Sequence, residues 1–171
     1  MDYIPRLGQA RFEKFLEAPK VVIVLGARQV GKTTLVQRLL KDINAFFLNF
    51  DIEIDKQRFL SASKVSPIEA MKSFGMPKIL VIDEAQRLVE TGRIIKGWYD
   101  AKVPTKMVLL GSSSLDILSQ SAESLTGRNV KLFLTPLLFR EIIAFQDWYS
   151  SVFSWNQLQK QFIEQIKTTL M

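Results

Sequence analysis

Lys32 and Thr33 lie in the run Gly26-Ala27-Arg28-Gln29-Val30-Gly31-Lys32-Thr33-Thr34-Leu35, and two carboxylates, Asp83 and Glu84, end the apolar run Ile79-Leu80-Val81-Ile82 further along. The first spacing is G-x-x-x-x-G-K-T, a phosphate-binding loop pattern. Glycine at 26 and 31 permits positive φ and close backbone approach, so successive N–H groups can turn toward phosphate oxygens. The whole stretch, Gly26, Ala27, Arg28, Gln29, Val30, Gly31, Lys32, Thr33 and Thr34, is therefore the candidate nucleotide cradle. Lys32 can bring its ammonium to the β- and γ-phosphates, and the Thr33 hydroxyl can coordinate Mg²⁺. Asp83 has the position of the acid that holds Mg²⁺, usually through water, and Glu84 that of a base that polarises an attacking water. Taken alone, the acidic pair reads equally well as a cap on a following helix. With a phosphate loop upstream, it reads as a metal and water site.

Such a site needs particular elements around it. Val21–Leu25 is a short β-branched run without alternation, the mark of a buried strand. Leu35, Val36, Leu39 and Leu40 fall at helical spacing, so the glycine loop joins a strand to a helix N-terminus, whose unpaired N–H groups favour anions. Ala45–Phe50 reads as a second strand, followed by a helical or mixed segment to about Phe74. Lys78–Asp83, Lys106–Gly111 and Val130–Leu134 read as three more strands. Helices are expected over Arg6–Glu17, Ile94–Asp100, Leu115–Ser121, Leu137–Phe145 and Leu158–Leu170. Strands apolar on both faces, alternating with helices, predict an α/β fold with a parallel sheet covered on both sides. Asp83 and Glu84 then stand at the C-terminal edge of a buried strand, where open α/β sheets hold ligands.

Composition narrows the chemistry. The chain has 171 residues, 47% hydrophobic and 23% charged, enough for one domain with a full core. It contains no Cys and no His, which excludes disulfides, thiolate metal sites and imidazole catalysis. Any metal must be held by oxygens, which suits Mg²⁺. The N-terminal residues carry mixed charge, and the longest apolar stretch is interrupted by Arg140, Glu141 and Asp147. Neither a signal peptide nor a membrane span is read, and a cytoplasmic protein is expected. Net charge is +6, which permits contact with nucleic acid. The basic residues are scattered, however, and a solvated basic surface is the plainer account.

Two further positions carry weaker signals. Ser112 and Ser113 follow the fourth strand, where a hydroxyl could touch a γ-phosphate or the lytic water; capping of the helix at Leu115 is the other use, with Ser114 the better cap. Arg128 stands between Gly127 and the fifth strand. It reads either as an arginine finger for a neighbouring subunit's γ-phosphate or as a surface residue after a glycine helix stop.

The segments GARQVGKTTL, FFLNFD, ILVIDEAQ, LLGSSS and LTGRNVKLFLTPLLFREI occur in the order found in prokaryotic ATPases of the AAA+ superfamily. The chain resembles most the archaeal-ATPase-like group, whose members often carry a C-terminal domain of unknown function, nuclease-like in fold. The resemblance covers roughly residues 4–145. It implies a P-loop NTPase fold of the AAA+ (ASCE) type, a three-layer α-β-α sandwich with a five-stranded parallel sheet in the order 5-1-4-3-2. By position, Lys32 and Thr33 are then the Walker A residues, and Asp83 and Glu84 the Walker B residues. Ser112 or Ser113 takes the sensor-1 position and Arg128 the finger position. Asn49 resembles a polar residue that restrains the catalytic glutamate in some relatives, although a turn beside Asp51 accounts for it better. AAA+ proteins continue into a helical lid. Residues 1–150 are accordingly expected to form the ATPase domain, and 151–171 a linker and helix at the start of a lid or second domain.

The leading expectation is a Mg²⁺-dependent ATPase core, weak as an isolated domain, with ATP and Mg²⁺ as its ligands and a homo-oligomer, DNA or another protein as candidate partners. The alternative is a nucleotide-gated DNA-associated or protein-interaction module with little turnover of its own. A small-molecule kinase has no need of Glu84 and would carry an arginine-rich lid segment; a GTPase would carry N-K-x-D, which is absent.

Overall fold

Val21–Leu25 is buried along its whole length and forms strand β1. Its full burial follows from its place inside the sheet, between two later strands. In the computed structural model, which describes residues 3–112 and 125–145, β2 is Ala45–Asn49, β3 Ile79–Asp83, β4 Lys106–Gly111 and β5 Asn129–Phe133. All pairings are parallel, in the order β2-β3-β4-β1-β5. This is the five-stranded P-loop NTPase sheet that the family resemblance implies. The edge strands β2 and β5 are only partly covered.

The register explains why the chemistry collects at one edge. Ile23 of β1 stands level with Leu109 of β4, which is level with Ile82 and, beyond it, Leu48. The strands therefore end together: the loop follows Leu25, Asp83 is the last residue of β3 with Glu84 after it, and Ser112 follows Gly111, the partner of Leu25.

One face of the sheet, with Ile23, Leu25, Leu80, Ile82 and Leu109, packs against Phe59, Met71, Ile95 and Trp98. These come from helices α3 (Glu53–Ala62), α4 (Pro67–Ser73) and α5 (Thr91–Asp100). Phe59 sits at the centre, with ring centroids 5.1 Å from both Phe50 and Trp98. The opposite face, Val22, Val24, Val81, Val108 and Leu110, is also fully buried. Phe12 of α1 (Gln9–Glu17) and Leu35 and Val36 of α2 (Lys32–Leu39) are fully buried outside the first cluster, and they supply its cover.

The expected helical stretch up to Phe74 is two helices. Ser66 ends the connection: its hydroxyl accepts from the Glu69 N–H, the Glu69 carboxylate accepts from the Ser66 N–H, and Pro67 takes the first helical position. Helix α1 starts at Gln9 rather than Arg6. Helix α5 starts three residues before Ile94, where the Thr91 hydroxyl donates to the Leu88 carbonyl. The helices expected over Leu115–Ser121 and Leu158–Leu170, and the 151–171 segment, lie outside the described residues.

Two compact units divide the chain: Gly8–Pro136, which holds the sheet, and Met1–Leu7 with Leu137–Met171. In the second unit, helix α6 (Phe139–Ala144) carries a buried Glu141. Arg6 Nε lies 3.2 Å from both Glu141 oxygens, and the Leu7 and Leu138 N–H groups donate to the same carboxylate at 2.7 and 2.9 Å. Burial pushes the Glu141 carboxyl upward, but the two backbone donors and the guanidinium outweigh it and hold it below the usual carboxylate range.

Candidate nucleotide site

The loop between β1 and α2 is built by backbone rather than by side-chain bulk. Gly31 has φ 89° and caps α2. The second left-handed residue is Gln29, at φ 63°; Gly26, expected to need positive φ, does not have it. Glycine is required at 26 for another reason. A Cβ there would lie 2.3 Å from the Leu134 carbonyl oxygen, because Leu134 donates back to Leu25 O at 2.7 Å and brings its backbone against the loop. Val30 is buried beneath the loop.

Within this loop, Lys32 turns its buried ammonium inward, donating to Gly26 O at 3.0 Å and Ala27 O at 2.8 Å. The Thr33 hydroxyl donates to Asp83 Oδ2 at 2.6 Å, joining the two motifs across fifty residues of sequence. Asp83 Oδ1 accepts from the Glu84 N–H at 2.8 Å, so both its oxygens are directed. Glu84 has φ 50°, a left-handed conformation that a residue with a Cβ adopts at a cost. It opens a single 3₁₀ turn, Ala85–Arg87.

A cleft of about 390 Å³ opens over these groups, lined by Arg28, Gln29, Gly31, Lys32, Thr33, Thr34, Asp51 and Glu84. That volume lies within the ~300–1,000 Å³ typical of small-molecule sites. Its donors suit a nucleotide and its metal: backbone N–H groups at a helix start, one ammonium, and a hydroxyl paired with a carboxylate as hard oxygen ligands. Among the described residues no three carboxylates converge as a metal cage. A metal sharing its coordination with phosphates and water needs no such cage.

Of the expected site residues, the loop, Asp83 and Glu84 are brought together. Ser112 lies at the same sheet edge, directly after the Gly111–Leu25 pair; Ser113 and Ser114 lie outside the described residues. Arg128 is elsewhere. Its carbonyl accepts from the Val21 N–H at the start of β1, so it sits at the opposite edge of the sheet from its own loop. Its guanidinium pairs with Asp100 through Nε at 2.6 Å and Nη2 at 3.2 Å, which raises it further above its ordinary value. Asn49 behaves as a turn former, its side-chain oxygen accepting from the Asp51 N–H at 2.9 Å.

Three residues of the site were not singled out from the sequence. Asp51 lines the cleft and accepts from Arg87 Nε at 2.9 Å, and Gln86 Nε2 donates to Glu84 Oε2. The only sequence signal for them is adjacency: Asp51 follows β2, and Gln86-Arg87 completes the run begun by Asp83.

A family model described as an AAA domain matches residues 18–143. The chain belongs to this AAA domain family. The matched span runs from just before β1 into α6, so the P-loop, the Asp83–Glu84 pair and Arg128 all fall inside the AAA domain. The chain is 31% identical over 138 residues to the uncharacterized protein Rv2008c of Mycobacterium tuberculosis, covering 80% of this chain and 30% of that protein. It is 27% identical over 136 residues to the uncharacterized protein MJ1544 of Methanocaldococcus jannaschii, covering 75% and 29%. The chain thus spans about three tenths of the length of these relatives. Among solved structures, the Walker-type ATPase Paby2304 of Pyrococcus abyssi superposes with a TM-score of 0.62 at 20% identity, covering 84% of this chain and 57% of that one. At that identity the likeness supports the fold. No helix among the described residues is long and apolar enough to cross a membrane.

Proposed function

We propose that the AAA domain binds Mg²⁺·ATP in the cleft over the P-loop and hydrolyses it with Glu84 as the general base. The observation that carries this reading is the Thr33–Asp83 hydrogen bond. It brings the two oxygen ligands expected of a nucleotide-bound magnesium together between a phosphate cradle and a second carboxylate.

Each residue has a distinct task. The N–H groups of the loop and of the first turn of α2 hold phosphate oxygens, and Lys32 adds a charge that its present carbonyl partners can share. Thr33 and Asp83 are the residues that would hold the metal. Bound Mg²⁺ supplies Lewis-acid stabilisation of the charge on the transferring phosphoryl group. Glu84 takes a proton from the attacking water at Oε1, its Oε2 being engaged by Gln86. Ser112, leaving the sheet between the loop and Glu84, orients that water or the γ-phosphate.

Glu84→Gln tests the reading. The amide keeps the shape and cannot accept the proton, so steady-state hydrolysis should fall by ~10²–10⁴ while calorimetric ATP affinity stays within a few-fold. Normal turnover by this variant would remove Glu84 as the base.

Arg128 serves a neighbouring subunit in this scheme, since β1 alone separates it from its own loop by roughly 13 Å at about 3.3 Å per residue. A finger acting in trans predicts that mixing inactive Arg128→Ala with inactive Glu84→Gln restores activity, because a mixed interface joins one intact finger to one intact base. Such a finger is worth up to ~10³–10⁵ in rate. A mixture that stays inactive, with wild-type specific activity independent of protein concentration, would leave Arg128 with only its Asp100 pairing.

A further inference from the structure

Glu84 is held by its own turn. Gln86, two residues on, donates from Nε2 to Glu84 Oε2, while Gln86 Oε1 is buried with no hydrogen-bond partner. A buried amide oxygen without a donor is unfavourable, so the orientation of this amide needs a cause. Turning it over would set Oε1 against the Glu84 carboxylate, acceptor facing acceptor. The carboxylate therefore dictates the orientation, and the amide in return fixes the carboxylate.

The turn that carries Gln86 is anchored on every side. Ala85 is buried in the core cluster that also holds Ile82 and Ile95, the Arg87 N–H donates to Glu84 O at 2.9 Å, and Arg87 Nε reaches Asp51 Oδ1. The left-handed backbone at Glu84 directs its side chain toward the cleft that it lines. Gln86 then removes the remaining freedom about the last side-chain torsions.

We infer that Gln86 is a positioning residue for hydrolysis: its amide holds Glu84 through Oε2, so that Oε1 faces the attacking water. This rests on Glu84 being the base. A carboxylate fixed in this way needs no reorientation when the transition state forms, so the benefit appears in turnover rather than in nucleotide binding.

Gln86→Met keeps the length and removes the donor. Steady-state kinetics on the full chain should show kcat lowered by about 10–100-fold, the range seen when a residue that orients an active group is lost. KM for ATP should stay within roughly twofold, since Gln86 is not among the residues lining the cleft and acts on the reaction only through Glu84. Unchanged or raised kcat, or a fall explained by lost ATP binding, would overturn the inference. A second measurement does not depend on turnover. The side-chain amide resonances of Gln86, assigned in ¹⁵N spectra by their disappearance in Gln86→Met, should shift strongly in Glu84→Ala; resonances indifferent to Glu84→Ala would also overturn it. Glu84→Gln measured in parallel separates the two claims. If it retains turnover, the base assignment fails, whereas an inactive Glu84→Gln beside a Gln86→Met of wild-type kcat and KM sinks only the role of Gln86.

Discussion

Lys32 contributes the single ammonium of the loop that lines the cleft. A charge-assisted hydrogen bond contributes ~1.5–3 kcal/mol, so Lys32→Ala should weaken ATP binding by roughly 10–150-fold by calorimetry; wild-type affinity would remove the loop from the phosphates. The place of Lys32 in the candidate site was legible in the sequence because phosphate chemistry demands fixed residue types at fixed spacing. The same holds for Thr33, Asp83 and Glu84. Gly26 was legible as a glycine but for the wrong reason. The need is space beside the Leu134 carbonyl, and a contact between residues so far apart in the chain leaves no local mark. Asp51, Gln86 and Arg87 were not legible, since what they do depends on the path of the turn after Glu84 rather than on their types. Arg128 was placed correctly before β5, yet its pairing with Asp100 could only be seen once α5 and β5 were side by side.

At the scale of elements, strands were read more accurately than helices. Five buried or half-buried apolar runs stand out in this sequence, and each begins and ends within a residue of its expected bounds. Helix starts slipped by as many as three residues, because the N-cap positions Gly8 and Glu90 make no side-chain cap bond and so carry no capping signal in the sequence. The Ser66-Pro67-Ile68-Glu69 cap, which the sequence reading passed over in one helical or mixed segment, marks the start of α4. Helix α5 also holds a residue that works against it. Gly97 lies inside the helix with open space where a Cβ would be. Gly97→Ala should stabilise the protein by ~0.4–1 kcal/mol, by narrowing the unfolded ensemble. Urea denaturation of the two proteins measures this, and an unchanged or lowered midpoint would contradict it.

Each of the two compact units is tied together internally by contacts between distant stretches of chain. In the unit that contains both termini, Arg6 and Glu141 meet although 135 positions separate them. The Glu141 carboxyl lies below its ordinary value of 4.5, so the folded form binds its proton less readily than the unfolded form. Its contribution is complete above that ordinary value and is lost as pH falls through the folded one. The protection of the Leu7 and Leu138 amides, whose N–H groups donate to this carboxylate, measured against their intrinsic exchange rates, should therefore fall on acidification below about pH 4.5, and Glu141→Gln should remove that pH step. The sheet has a similar long reach. Val22 pairs with Val108 and Val130, whereas β2 and β3 join residues as near as Ala45 and Ile79. On a ribosome adding about 5–20 residues per second, the outer pair can form while β1 waits roughly 4–17 s for its first neighbour. During synthesis the strand that leads into the phosphate loop is thus the sticky one, an uncharged β-branched run open on both edges and a natural client for a chaperone.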